Sequence, residues 1–166
     1  MRGKVIRALK PLHAIAVENP ALPGTPDVNY VEGWLELKWI RAWPKRASSV
    51  VQIDHYSPQQ RIWHIKRRVA GGSAWFLLQC GGEWLLLDGA VAALHVNAVT
   101  HAELIGLCHL YCSGGLKVKE LIECISKRMN VFTLSDANVM KLRERLREDT
   151  ASQPDATSIG NSELWK

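Results

Sequence analysis

No run of this 166-residue chain comes near the ~20 consecutive apolar residues that a membrane-spanning helix requires, so no membrane association is expected. The basic start, Met1-Arg2-Gly3-Lys4, has no long apolar stretch behind it, which argues against a secretory leader. Cysteine is sparse. Cys80, Cys108, Cys112 and Cys124 form no dense framework and fit reduced thiols, which points to the cytoplasm. No internal repeat, low-complexity tract, Gly-rich phosphate loop or Ser-His-Asp set is present. Acidic residues are missing altogether from residues 1–17, and Asp54 is the only one between Lys38 and Arg68.

What is there is ordinary for a globular domain: 47% hydrophobic and 22% charged residues, with length enough for one real core. The charge is unevenly spread. Lys38, Arg41, Lys45, Arg46, Arg61, Lys66, Arg67 and Arg68 oppose the single Asp54 across residues 38–68, a net of +7. Since the whole chain carries +5, the remainder is −2. A local excess of this kind attracts a polyanion, most simply a nucleic-acid backbone. Arg41, Lys45, Arg46, Arg61, Arg67 and Arg68 are the expected phosphate contacts. Trp39 and Trp43 read first as packing residues and second as stacking surfaces for unpaired bases.

Along the chain, residues 5–10 predict a short helix stopped by Pro11, and residues 13–18 a strand ended by Asn19-Pro20. Residues 28–31 and 34–40 predict two strands joined by a tight turn at Glu32-Gly33. The connection over residues 41–56 is long, with a strand-like piece at 50–53. Ser57-Pro58 opens a helix that runs to Val69 before Gly71-Gly72, with Ile62, Ile65 and Val69 as its buried stripe and Arg61, His64 and Arg68 on another face. Strands follow at 74–79 and 84–87. Thr100 and Glu103 predict a capped helix to about Cys112, Val118 to Met129 has helical spacing, and a further helix carries Val139, Leu142 and Leu146. From Thr150 the chain reads as a loose tail. The fold class is therefore α/β, a mixed sheet with helices packed on it and a C-terminal helical extension.

One constellation carries chemistry. Gly24-Thr25-Pro26-Asp27 puts a carboxylate at the mouth of one strand, and Glu36-Leu37-Lys38 puts a second carboxylate and an ammonium on the next. Glu36 and Lys38 share one face, because strand side chains alternate with period two. Buried charge is costly without a partner or a metal. Converging carboxylates make a hard oxygen site for a divalent cation, and the adjacent lysine suits a phosphate or the water that attacks it.

Pro26-Asp27, eight residues, then Glu36-Leu37-Lys38 resembles the PD-(D/E)XK nuclease superfamily. The helix beginning Ser57-Pro58-Gln59-Gln60-Arg61 and ending at Gly71-Gly72 narrows the likeness to its Holliday-junction-resolvase-like and virus-type replication-repair branch, many of whose members are phage proteins. It covers about residues 14–88. The resemblance implies a restriction-endonuclease-like core over residues 1–95, followed by the helical extension at 96–149 and the tail at 150–166. It implies Mg²⁺, with Mn²⁺ as substitute, held by Asp27, Glu36 and the Leu37 carbonyl, and Lys38 acting on the attacking water. Glu18 stands as either a further metal ligand or a solvated carboxylate. Gln60 matches the family's glutamine near the lysine, yet Ser57-x-x-Gln60 is equally a capping box. DNA would be the substrate, a homodimer the junction-resolvase precedent, and the host cytoplasm the location for a phage-encoded chain. The rival is a non-catalytic DNA-binding or regulatory protein on the same scaffold. Cys108-x-x-x-Cys112 with His101 and His109 reads as buried thiols rather than a zinc site.

Overall fold

The computed structural model describes residues 1–127. The helix expected around Val139, Leu142 and Leu146 and the tail from Thr150 lie outside them.

A six-stranded mixed sheet forms the centre, with strands β1 (Ile15–Ala16), β2 (Val28–Tyr30), β3 (Gly33–Ile40), β4 (Ser73–Cys80), β5 (Glu83–Asp88) and β6 (Leu110–Cys112) side by side in chain order. Every neighbouring pair is antiparallel except β3 and β4. The exception follows from chain length between strands. Residues 41–72, which hold helix α2 (Pro58–Val69), form the long crossover that a parallel pair needs. Gly81-Gly82, by contrast, is a short antiparallel turn.

Period-two alternation divides the interior into two cores. Leu35, Trp75, Leu77, Trp84 and Leu86 pack with Val5 and Leu9 of the N-terminal segment and with Leu121 and Ile125 of helix α5 (Val118–Ser126). On the opposite face Phe76, Leu78, Leu85 and Leu87 pack with Val51, Ile53 and Tyr56, and with helices α3 (Gly89–His95) and α4 (His101–Leu107). Helices thus cover both faces of the sheet.

Several local expectations need correction. Helix α1 (Arg2–Ala8) ends before Pro11, which sits instead in the first turn of a 3₁₀ segment, Lys10–Leu12, where its missing N–H costs nothing. The strand expected over 13–18 shrinks to β1, since His13 takes a left-handed conformation just before it. Residues 50–53 join no strand and contribute one bridge, Val50 to Thr100. Helix α4 stops at Leu107 rather than Cys112, because β5 offers an edge that residues 110–112 complete as β6. The sheet therefore continues past the expected boundary at residue 95. Helix α3 was not anticipated; Asp88 caps it, accepting bonds from the Ala90 and Val91 amides.

In α2 the expected stripe of Ile62, Ile65 and Val69 holds only in part, with Ile62 half-buried. Ile65 is buried, but Val69 is 70% exposed, while His64 and Arg68 face the sheet. Arg68 is held there by an ion pair to Asp88 at 2.7 Å and a bond to the Gly72 carbonyl at 3.0 Å. The helix turns its polar side inward.

Candidate active site

Glu36 and Lys38 lie on the face of β3 that α2 covers, and both are buried. The Lys38 Nζ stands 2.6 Å from Glu36 Oε1. Gln60 Nε2 donates to the same oxygen at 2.7 Å. The other end of the Gln60 amide accepts from the Ser57 backbone N–H at 3.0 Å, while Ser57 Oγ accepts from the Gln60 N–H at 3.3 Å. Gln60 makes both contacts at once: its oxygen closes the capping box of α2 and its nitrogen reaches the buried carboxylate. The cap fixes the amide, and the amide fixes Glu36.

Asp27 arrives from the other side. Pairing between β2 and β3 ends at Val28 with Leu35, so the Leu37 N–H has lost its strand partner. Asp27 Oδ2 takes that bond at 2.8 Å. The N–H and C=O of one strand residue leave on the same side, so the Leu37 carbonyl also faces the gap that β2 leaves. Gly24 sets the approach of this segment. Its φ is +91°, and a Cβ there would lie 2.5 Å from the Gln59 carbonyl oxygen, so only glycine lets the loop rest on the first turn of α2. The Gly-Thr-Pro-Asp segment and the glutamine helix are in this way locked to one another.

Burial pushes the Glu36 carboxyl up to about 7, and the neighbouring Asp27 charge adds to it, while Lys38 pulls the other way. Glu36 Oε2 is buried and has no hydrogen-bond partner. Two neighbouring carboxylates, one of them with an orphaned oxygen, beside a backbone carbonyl are a donor set that suits a small hard cation. Asp27, Glu36 and the Leu37 carbonyl fit such an ion. Among the described residues no cluster of three or more His, Cys, Asp or Glu side chains forms, so backbone and solvent oxygens would complete the shell.

Beside this site lies a buried pair that sequence reasoning missed. The Tyr56 hydroxyl is 2.7 Å from His64 Nδ1. Burial, and then the Lys38 charge, holds His64 down at about 3, so the imidazole is neutral; burial likewise pushes the Tyr56 phenol up. The signal was the spacing of Gln60, His64 and Arg68, which puts all three on one helix face.

Other expected site residues fall elsewhere. Glu18 is exposed and pairs with Arg2 at 2.8 Å, so it is a surface carboxylate here. Arg61, expected as a phosphate contact, is engaged within the fold: it donates to the carbonyls of Ala93 and Val96 at 2.8 and 3.1 Å and lies over the Tyr56 ring, tying α2 to the end of α3. Arg68 is likewise structural. Arg67 lines a cavity of about 220 Å³ at the C-terminal end of α2, far from Gln60 at its start. Arg41, Lys45 and Arg46 are exposed. Trp43 is anchored, donating to Glu83 Oε1 at 3.0 Å and stacking on His101 at 3.9 Å, whereas Trp39 is 55% exposed. Cys108 follows the end of α4 and Cys112 is on β6, so they do not share a helix face. No family model, curated protein or solved structure matches this chain.

Proposed function

We propose that this protein is a divalent-cation-dependent nuclease that hydrolyses DNA phosphodiester bonds, a structure-specific endonuclease of the PD-(D/E)XK, junction-resolvase-like type. One observation carries the reading. Glu36 is a wholly buried carboxylate, gripped at one oxygen by Lys38 and Gln60, orphaned at the other, and set beside Asp27. A structure kept only for stability gains little from such a group.

Asp27, Glu36 and the Leu37 carbonyl would hold Mg²⁺, with Mn²⁺ as a substitute. When bound, the cation supplies a more acidic water and offsets charge on the scissile phosphate. Lys38 orients the attacking water and steadies the negative charge that builds on the phosphate oxygens. Gln60 touches Glu36 and so acts as a positioning residue. Proton and cation compete for Glu36, because only the ionised carboxylate is a good ligand.

The test is a panel of labelled linear, forked, four-way and single-stranded DNA, each with and without Mg²⁺. Cleavage of branched substrates that requires the metal is the expected result. The exposed position of Glu18 leaves two carboxylates at the site, which favours a second reading, a DNA-binding protein without catalysis. Binding of the same substrates with no cleavage under Mg²⁺ or Mn²⁺ would select it.

A further inference from the structure

From Glu36 onward β3 pairs with no strand on its β2 side among the described residues, so its far end forms an open margin of the sheet there. Lys38 points to one face of that margin and Trp39 to the other. Tryptophan is among the more buried residue types, yet Trp39 leaves 55% of its surface in solvent. The segment beyond it carries exposed Arg41, Lys45 and Arg46 and no acidic residue before Asp54. That segment is pinned to the sheet. Trp43 binds Glu83 and stacks on His101, and the Tyr111 hydroxyl donates to the second Glu83 oxygen at 2.7 Å. Three exposed cations and one open indole therefore fall within eight residues of chain, on a segment that Trp43 anchors.

We infer that Trp39 is a stacking platform for an unpaired base, whose flanking phosphates lie on Arg41, Lys45 and Arg46, and that it gives the protein a preference for DNA with a single-stranded segment. An indole face offers no hydrogen-bond pattern to read, so the contact tolerates any base. A base inside a duplex has both faces covered by its neighbours and cannot use it. The cations alone would bind paired and unpaired DNA alike; the discrimination comes from the ring. This specificity rests on the nuclease reading for its purpose, but the binding itself does not require cleavage.

Fluorescence anisotropy with labelled oligo-dT and a duplex of equal length, in buffer without divalent cations, tests the inference on the full chain. Trp39→Ala is expected to weaken oligo-dT binding by about 5- to 150-fold, the loss of one base–aromatic stack, while duplex binding stays within about twofold. Trp39→Phe should recover most of the loss, because the ring is what matters. Equal losses on both DNAs, or no loss, would overturn it. So would a change in oligomeric state on size-exclusion chromatography in place of selective loss, since Trp39 would then be covered by a second copy. Should the substrate panel show no cleavage while Trp39→Ala still loses only single-strand binding, the nuclease reading fails and the stacking site stands.

Discussion

At the residue scale, Glu36 is where folding and chemistry pull in opposite directions. Its folded carboxyl sits at about 7 against an ordinary 4.5, so the folded state favours the protonated form. Folding is thus unpenalised below about 4.5, and the penalty grows as pH rises through 7, reaching on the order of 3 kcal/mol. His64 acts with the reverse sign. Held at about 3 against 6.5, it binds its proton only in the unfolded chain over that window, so stability is lost as pH falls from 6.5 toward 3. Between about 4.5 and 6.5 the two slopes oppose one another. Denaturant titrations of metal-free protein should therefore show stability falling from about pH 6.5 to just above 7 and then levelling, and Glu36→Gln should remove that fall. Mg²⁺ should remove it too, since the ionised carboxylate then has its cation. A fall across that same window that survives both changes would contradict the burial of this charge.

At the element scale, α2 decides how the site is built, and it is the element whose sequence misleads most. Its caps were legible: Ser57 with Gln60, like Thr100 with Glu103 on α4, is a local pattern that needs no tertiary knowledge. Its inner face was not. Periodicity selects Ile62, Ile65 and Val69, but a sheet that carries Glu36 and Asp88 recruits polar partners: Gln60 and Arg68 answer them, and His64 beside them pairs with Tyr56. Strand β6 escaped notice for a related reason. Its helix-compatible residues pair because the edge of β5 needs a partner, which is a property of the sheet. The contrast is measurable. Arg68→Ala should cost about 3–5 kcal/mol, since it leaves Asp88 charged and buried, whereas Val69→Ala should stay within about 0.5 kcal/mol. Urea melts of the two variants give the answer; a costlier Val69 change would restore the periodic reading.

At the scale of the whole molecule, the basic excess over residues 38–68 is two different things. Arg61 and Arg68 are spent inside the fold, on carbonyls, a tyrosine ring and Asp88. Arg41, Lys45 and Arg46 face solvent next to the open end of β3. A count of charge along the chain cannot separate these groups, because both helix-inward and solvent-facing arginines read alike. Replacing Arg41, Lys45 and Arg46 together should lower the slope of log affinity against log salt by about 2 to 3, and Arg61→Ala should leave it unchanged. Salt titrations of DNA binding would show it; an Arg61 effect equal to that of a loop cation would place the contact surface on α2. Among the described residues no helix is long and apolar enough to cross a membrane.

The most direct measurement is single-turnover cleavage of a labelled forked DNA, in Mg²⁺, by the unaltered protein and by Asp27→Asn, Glu36→Gln and Lys38→Ala. DNA affinity and far-ultraviolet circular dichroism are recorded for each variant alongside the rates. Each substitution should slow cleavage at least about 100-fold while leaving affinity and fold nearly unchanged. Three variants that cut at the unaltered rate would show that the carboxylates and the lysine meet for some purpose other than hydrolysis.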